Sequence, residues 1–335
     1  MYRAKFDGSY EQLTSSKVRF ATAYASGDSF SVSSDGRAAI VRSTPSQPGD
    51  VVTFALDRPS EVTRLTSVND SLVADRNLGD VEEFSTIPLT AAPSKAGLSN
   101  RPASTPRRST RLILEIHGGP HAMYGVEFGY EFQVQAARGF VVLYTNPRGS
   151  TGYGEEFGNI IDAHYPGDDF KDLMTGVDAV TARGYVDTKK LAVTGGSGGG
   201  LLTAWTIGHT DRFAAAVSQY PVTDWITQIG TADAGYFFAQ IWMKGMPWEN
   251  PKQYMDHSPV FFADKFKTPT MVVTGESDYR TPMEQSEQLY FALKARKVPA
   301  VLRIPDEPHG IRGAYPSHRI AKMENVLGWI ETWTK

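Results

Sequence analysis

The sequence predicts an α/β chain: a mostly parallel sheet with helices on both faces, preceded by a small β-rich fragment. Two observations carry this. From Leu112 onward, short and near-continuous apolar runs alternate with stretches of helical periodicity, as expected for strands buried on both faces and their crossover helices. Before about residue 84 the chain reads instead as short strands separated by turns. The length of 335 residues suits such a division, at roughly 150 residues per domain.

In the N-terminal part, 30–33 and 38–41 flank Ser34-Asp35-Gly36-Arg37, and the Asp-Gly pair predicts a hairpin with a type I′ turn. Phe6-Asp7-Gly8 with Leu13-Thr14 is echoed by Leu56-Asp57 with Leu65-Thr66, an offset of about 50 residues, the period of a four-stranded propeller blade. About one and a half blades cannot close a ring, so exposed strand edges are expected over 1–84. Residues 85–111 are rich in Ser, Thr, Pro, Ala and Arg without apolar periodicity and predict an irregular linker. Over 112–335, strands are expected at 112–116, 140–144, 191–193, 214–217, 271–273 and 300–304. Asp168 or Asp169 caps a helix whose apolar face is Phe170, Leu173, Val177 and Val180. Pro282 begins another, with Leu289, Tyr290 and Leu293 inward, and Ile320, Met323, Leu327, Ile330 and Trp333 line the last.

Composition excludes several classes of function. With 34 basic against 37 acidic residues the net charge is −3, which argues against nucleic acid as a partner. No apolar run reaches the roughly 18 residues of a membrane helix, and the first residues lack a signal-peptide core. The chain as given is therefore expected in the cytoplasm, without a membrane partner. The absence of cysteine excludes disulfides, thiolate metal sites and a cysteine nucleophile. No metal-binding or dinucleotide motif occurs, and Asp168-Asp169 reads as a helix cap, so neither metal nor cofactor is expected.

The most specific signal is Leu191-Ala192-Val193-Thr194-Gly195-Gly196-Ser197-Gly198-Gly199, an apolar strand running through Gly-x-Ser-x-Gly into a helix rich in small residues. This is the nucleophile elbow of an α/β-hydrolase fold, where a strained turn lifts the serine Oγ above the sheet. A phosphate-binding loop would continue with Lys-Ser/Thr, whereas Leu201-Leu202 follow here. A serine hydroxyl needs a base, and the base an orienting acid, each on a loop after a later strand. Asp278 stands at the tip of the loop after 271–274, with Glu276 as the alternative acid. His309 alone of seven histidines lies just past the last strand. Two N–H donors are also needed for the developing oxyanion. Gly198 follows the serine, and Gly119, with Gly118 as the alternate, lies in His117-Gly118-Gly119-Pro120 after an early strand. His117 reads as a support for that loop.

His117-Gly118-Gly119-Pro120, Asn146-Pro147-Arg148-Gly149-Ser150-Thr151-Gly152-Tyr153-Gly154, the elbow at 195–199, and 275–282 (Gly-Glu-Ser-Asp-Tyr-Arg-Thr-Pro) together resemble the catalytic domain of prolyl oligopeptidase family serine peptidases. The acylaminoacyl-peptidase and dipeptidyl-peptidase branch is the most similar. The resemblance spans 112–335 and implies an α/β-hydrolase domain capped by a β-propeller, acting on short peptides and often on simple esters. It also implies Ser197 as nucleophile, Asp278 as acid, His309 as base, Gly119 and Gly198 as oxyanion donors, and Val222, Trp225, Phe237 and Phe238 as the walls of an apolar S1 pocket. Two departures stand out. Gly198 occupies a position where many relatives carry a side chain, and the N-terminal part is too short for a whole propeller. Shifted by one base, back-translated codons of 91–111 are compatible with the family's usual lead-in, an edge strand and a Pro-Gly turn. Compensating frame shifts near 85 and 111 would then leave 85–111 without sheet pairing. With an incomplete propeller, the expected activity is hydrolysis of short-chain esters with residual peptidase capacity. A dedicated peptidase and a non-catalytic scaffold are the alternatives. Self-association through an exposed β edge or apolar surface is also expected.

Overall fold

The structure is a computed structural model and describes residues 1–14, 30–86, 94–100, 109–311 and 315–335. It divides into two compact units, one built on the N-terminal strands and 125–138, the other on the large sheet.

In the first unit Phe30–Val32, Arg37–Thr44, Gln47–Ala55 and Arg58–Arg64 form an antiparallel four-stranded sheet in chain order. Its alternating pattern buries Ala38, Ile40, Val52 and Phe54 in a small core of their own. Tyr2–Ala4 and Tyr10–Gln12 pair separately. The hairpin at 33–37 forms, but with a different turn. Only Gly36 has a positive φ (77°), and Gly36 N–H donates to the Ser33 carbonyl at 3.0 Å. That is a type I turn closed by a left-handed glycine, which needs one such residue where a type I′ turn needs two. The helix Tyr130–Ala137, although it connects two strands of the large sheet, belongs to this unit. Gln133 ties it to Gly79, accepting from its N–H at 2.7 Å and donating to its carbonyl at 3.1 Å.

The second unit is built on an eight-stranded sheet in the order Ala300–Arg303, Thr270–Val273, Ala215–Gln219, Val186–Gly196, Thr110–Ile116, Phe140–Thr145, Ser94–Asn100, Asp80–Thr86. The first six are parallel to one another. All the strands expected from apolar runs are present, and Leu112, Ile113, Leu114, Val142, Leu143 and Val193 are fully buried, as a sheet covered on both faces requires. Two expectations fail at the other edge. Asp80–Thr86 joins the large sheet, so this sheet extends back across the expected boundary at 84. Ser94–Asn100, expected to be irregular and unpaired, is a strand between Asp80–Thr86 and Phe140–Thr145. Sheet pairing uses backbone N–H and C=O groups, and this heptapeptide contains no proline, so an available edge overrides its weak β preference. The rest of the expected linker, 87–93 and 101–108, lies outside the described residues.

The helices follow their apolar periodicity. Asp169–Thr181 buries Leu173, Val177 and Val180, and Met283–Ala295 buries Leu289 and Leu293. In Pro316–Trp333, Met323, Leu327 and Ile330 are buried, but Ile320 (55% exposed) and Trp333 (37%) are not, because they lie at the margins of the buried face that these residues share with Val326 and Thr334. Asp168 takes the N-cap position without a capping bond; the carboxylate that does accept backbone N–H groups, from Gly167 and Phe170, is that of Asp169.

Candidate active site

Register places the site. Across the parallel strands Ile116 pairs with Gly195, Gly196 with Gln219, Gln219 with Val273, and Val273 with Arg303. The loops that begin at His117, Ser197, Thr274 and Ile304 therefore leave the sheet along one rim, at the carboxyl ends of the strands.

Ser197 sits between the strand Val186–Gly196 and the helix Gly198–His209 with φ 60° and ψ −120°, a strained conformation for a residue with a side chain. The turn closes only because its neighbours are glycines: a Cβ at Gly195 would lie 2.5 Å from the Ile116 carbonyl and 2.7 Å from that of Gly199. Ser197 Oγ is 3.1 Å from His309 Nε2. His309 Nδ1 is 2.7 Å from Asp278 Oδ2, and Asp278 is buried. Asp278 is fully engaged. Its Oδ1 accepts from the N–H groups of Arg280 (3.0 Å) and Thr281 (2.9 Å), and its Oδ2 accepts from the Thr281 hydroxyl (3.1 Å). The loop carrying His309 is stitched to the loop carrying Asp278 by Glu276 N–H to the Pro305 carbonyl and Ser277 N–H to the Glu307 carbonyl. Glu276, the alternative acid, is exposed, and the carboxylate at His309 Nδ1 is that of Asp278.

A cavity of about 210 Å³ opens beside this trio, lined by Gly119, Gly198, Tyr165, Leu201, Val222, Trp225, Phe238, Trp242, Arg280 and Thr281 as well as Ser197 and His309. Gly119 and Gly198 thus share the cavity with the serine, whereas Gly118, the alternate, does not line it; a Cβ there would lie 3.1 Å from the Gly196 carbonyl oxygen and 3.3 Å from Ser197 Cβ. Of the four residues expected as pocket walls, Val222, Trp225 and Phe238 line the cavity. Phe237 does not: it is 50% exposed and stands edge-on to Phe238 and Trp242 outside it. On the helix Gly235–Ile241 adjacent positions face different sides, so only one of the two phenylalanines can point inward.

Sequence reasoning missed Tyr165, Leu201, Trp242, Arg280 and Thr281. Trp242 had a signal, since it follows Phe238 by four residues, and the two rings stack at 4.8 Å. Tyr165 also had one in the departure at Gly198. A Cβ there would lie 2.6 Å from the Tyr165 hydroxyl, so the tyrosine occupies the space that a side chain at 198 would need. Burial pushes the Tyr165 phenol well up, and it donates to the Gly198 carbonyl at 3.2 Å. Arg280 faces the cavity while bound to Asp233 at 2.7 Å. Three other histidines are elsewhere: His209 stacks on Trp205, His257 reaches the Pro166 carbonyl and His318 reaches Glu307.

The Prolyl oligopeptidase family model matches residues 126–335. The chain belongs to the prolyl oligopeptidase family. Among curated relatives, the uncharacterized peptidase YuxL of Bacillus subtilis (strain 168) is 39% identical over 91% of this chain and 47% of its own length. The acylamino-acid-releasing enzyme of Mus musculus is 29% identical over 69% of this chain and 33% of its own. Among solved structures, the acylaminoacyl peptidase of Pyrococcus horikoshii superposes with a TM-score of 0.89 at 26% identity, covering 98% of this chain and 52% of the other. The chain therefore spans about half the length of the family members it matches, or less. Within the family's fold it carries the α/β-hydrolase-like sheet preceded by small antiparallel sheets.

Proposed function

We propose that this chain is a serine peptidase that cleaves short peptides or acylated peptides through an acyl-enzyme, with Ser197, His309 and Asp278 as its catalytic residues. The observation that carries this reading is the Ser197–His309–Asp278 chain, at 3.1 and 2.7 Å, beside an aromatic-walled cavity. The sequence alone ranks ester hydrolysis first. The names of the relatives favour the peptide bond instead: one is called a peptidase, one an acylamino-acid-releasing enzyme, and an acylaminoacyl peptidase structure contains Z-Gly-Gly-Phe-chloromethyl ketone.

In this mechanism His309 Nε2 takes the hydroxyl proton as Ser197 Oγ adds to the scissile carbonyl. Asp278 holds Nδ1–H and stabilises the imidazolium that forms. The N–H groups of Gly119 and Gly198 receive the oxyanion, assisted by the N-terminus of the helix Gly198–His209. His309 then protonates the leaving amine, and water attacks the acyl-enzyme by the same route in reverse. The side chain on the acyl side enters the cavity between Val222, Trp225, Phe238 and Trp242, which suits a large apolar or aromatic residue.

The test compares N-acylated and free aminoacyl p-nitroanilides with p-nitrophenyl esters, using the chain and its Ser197→Ala variant. Anilide turnover that depends on Ser197 and favours aromatic residues is the expected result. Turnover confined to esters would overturn the peptidase reading, and turnover surviving in the variant would overturn the assignment of the nucleophile.

A further inference from the structure

We propose that the loop 146–152 braces the oxyanion-binding peptide, with Ser150 and His117 as positioning residues that aim the N–H of Gly119. This rests on the reading of Gly119 as an oxyanion donor. It also gives the Asn146-Pro147-Arg148-Gly149-Ser150 motif, which the proposed chemistry leaves unused, a function.

The peptide between Gly118 and Gly119 joins two glycines, and Gly119 has φ 114°, so the chain itself restrains its orientation weakly. A trans peptide is planar, with its C=O and N–H pointing in opposite directions. Whatever holds the Gly118 carbonyl therefore fixes where the Gly119 N–H points. The holder is His117, whose Nδ1 is 2.7 Å from that carbonyl oxygen. A carbonyl only accepts, so Nδ1 carries the proton. Burial pushes the His117 imidazole below its ordinary value, so the ring stays neutral and Nε2 is left as an acceptor. Ser150 Oγ lies 2.9 Å from Nε2 and 2.6 Å from the Pro147 carbonyl, and its single hydrogen is shared between them. The serine is fully buried.

Ser150 is itself rigidly placed. Its neighbour Arg148 donates from its backbone N–H (2.9 Å) and from Nε (2.8 Å) and Nη2 (2.8 Å) to the buried carboxylate of Asp172, on the helix Asp169–Thr181. The brace also meets the segment after the glycines at two further places. Asn146 exchanges hydrogen bonds with the backbone of Tyr124, at 2.8 and 2.9 Å, and Thr151 N–H donates to the Ala122 carbonyl at 2.9 Å. One connected set of bonds thus runs from a core helix to the peptide facing Ser197.

The test is a matched pair of amides at 117. Asparagine places its amide nitrogen near Nδ1 and keeps a donor for the Gly118 carbonyl, whereas glutamine reaches toward Ser150 and abandons it. Loss of a whole oxyanion donor costs roughly 10²–10³ in kcat, so a misaimed one should cost about 10–10². His117→Gln and Ser150→Ala are expected to lose that much kcat with KM changed less than about twofold, at a melting temperature that shows them folded. His117→Asn should recover most of the loss. Equal impairment of both amides, or kcat within about threefold of the parent in His117→Gln, would overturn the brace while Ser197→Ala remains inactive. If Ser197→Ala retains activity, the reading of the site falls first, and the brace with it.

Discussion

The nucleophile elbow and the cavity wall beside it are specified in different ways. The elbow is local: 195–199 hold every residue it needs, because the serine conformation is strained and the Ile116 carbonyl leaves no room for a Cβ at Gly195, where it would lie 2.5 Å away, or at Gly199, where it would lie closer still. The wall is assembled from Tyr165, Val222, Trp225, Phe238, Trp242, Arg280 and Thr281, which lie on separate loops and short helices. Its apolar members, Val222, Trp225, Phe238 and Trp242, obey the ordinary rules of apolar packing, which many side chains satisfy about equally well. Reactive geometry thus constrains sequence more tightly than recognition does.

This contrast sets a scale of effects. Ser197→Ala should lower kcat by on the order of 10⁶ with the fold intact, read by anilide or ester turnover. Asp278→Asn should lower it by about 10⁴, because an amide favours the wrong tautomer of His309; the same assay beside a melting curve checks that the loss is chemical. On the wall, Trp242→Ala should cost about 1–3 kcal/mol in kcat/KM, or roughly tenfold to a hundredfold, for aromatic acyl-side residues and little for alanine. A loss independent of side-chain size would mean the two regions are not separable.

The smallest expected effect is on stability. Asp169 is completely buried, with one carboxylate oxygen unpartnered among the described residues, and burial pushes its pKa up to about 7. In the unfolded chain it titrates near its ordinary value of 3.8. The folded state therefore binds the extra proton between these values, so its contribution is fully present below about pH 4 and declines as pH rises toward 7. Denaturant unfolding at pH 5 and pH 7 should show parental stability falling by at most about 1.4 kcal/mol per pH unit from this group. The same slope should be flatter in Asp169→Asn.

The parts legible in the sequence were those with a strict physical signature. Near-continuous apolar runs gave the six parallel strands, and Gly-x-Ser-x-Gly gave the elbow. Position after the last two strands gave Asp278 and His309. Ser94–Asn100 escaped because backbone pairing leaves little trace in side chains, and a polar heptapeptide looks like linker until an edge is available to it. Phe237 and Phe238 were indistinguishable by composition, and only the phase of a short helix separates them. Tyr165 was hidden for a further reason: its role follows from an absence 33 positions away, at Gly198.

The turn 278–281 does two jobs. It orients the imidazole through Asp278 and Thr281, and through Arg280 and Thr281 it also forms one side of the cavity. A substitution there that alters which substrates fit will also disturb proton transfer. Among the described residues, the wall carried by the helix Gly235–Ile241 and Trp242 makes no hydrogen bond to Ser197, His309 or Asp278. Substitutions at the helical wall can therefore reshape the cavity without touching the imidazole's support, and efforts to redirect selectivity should begin there.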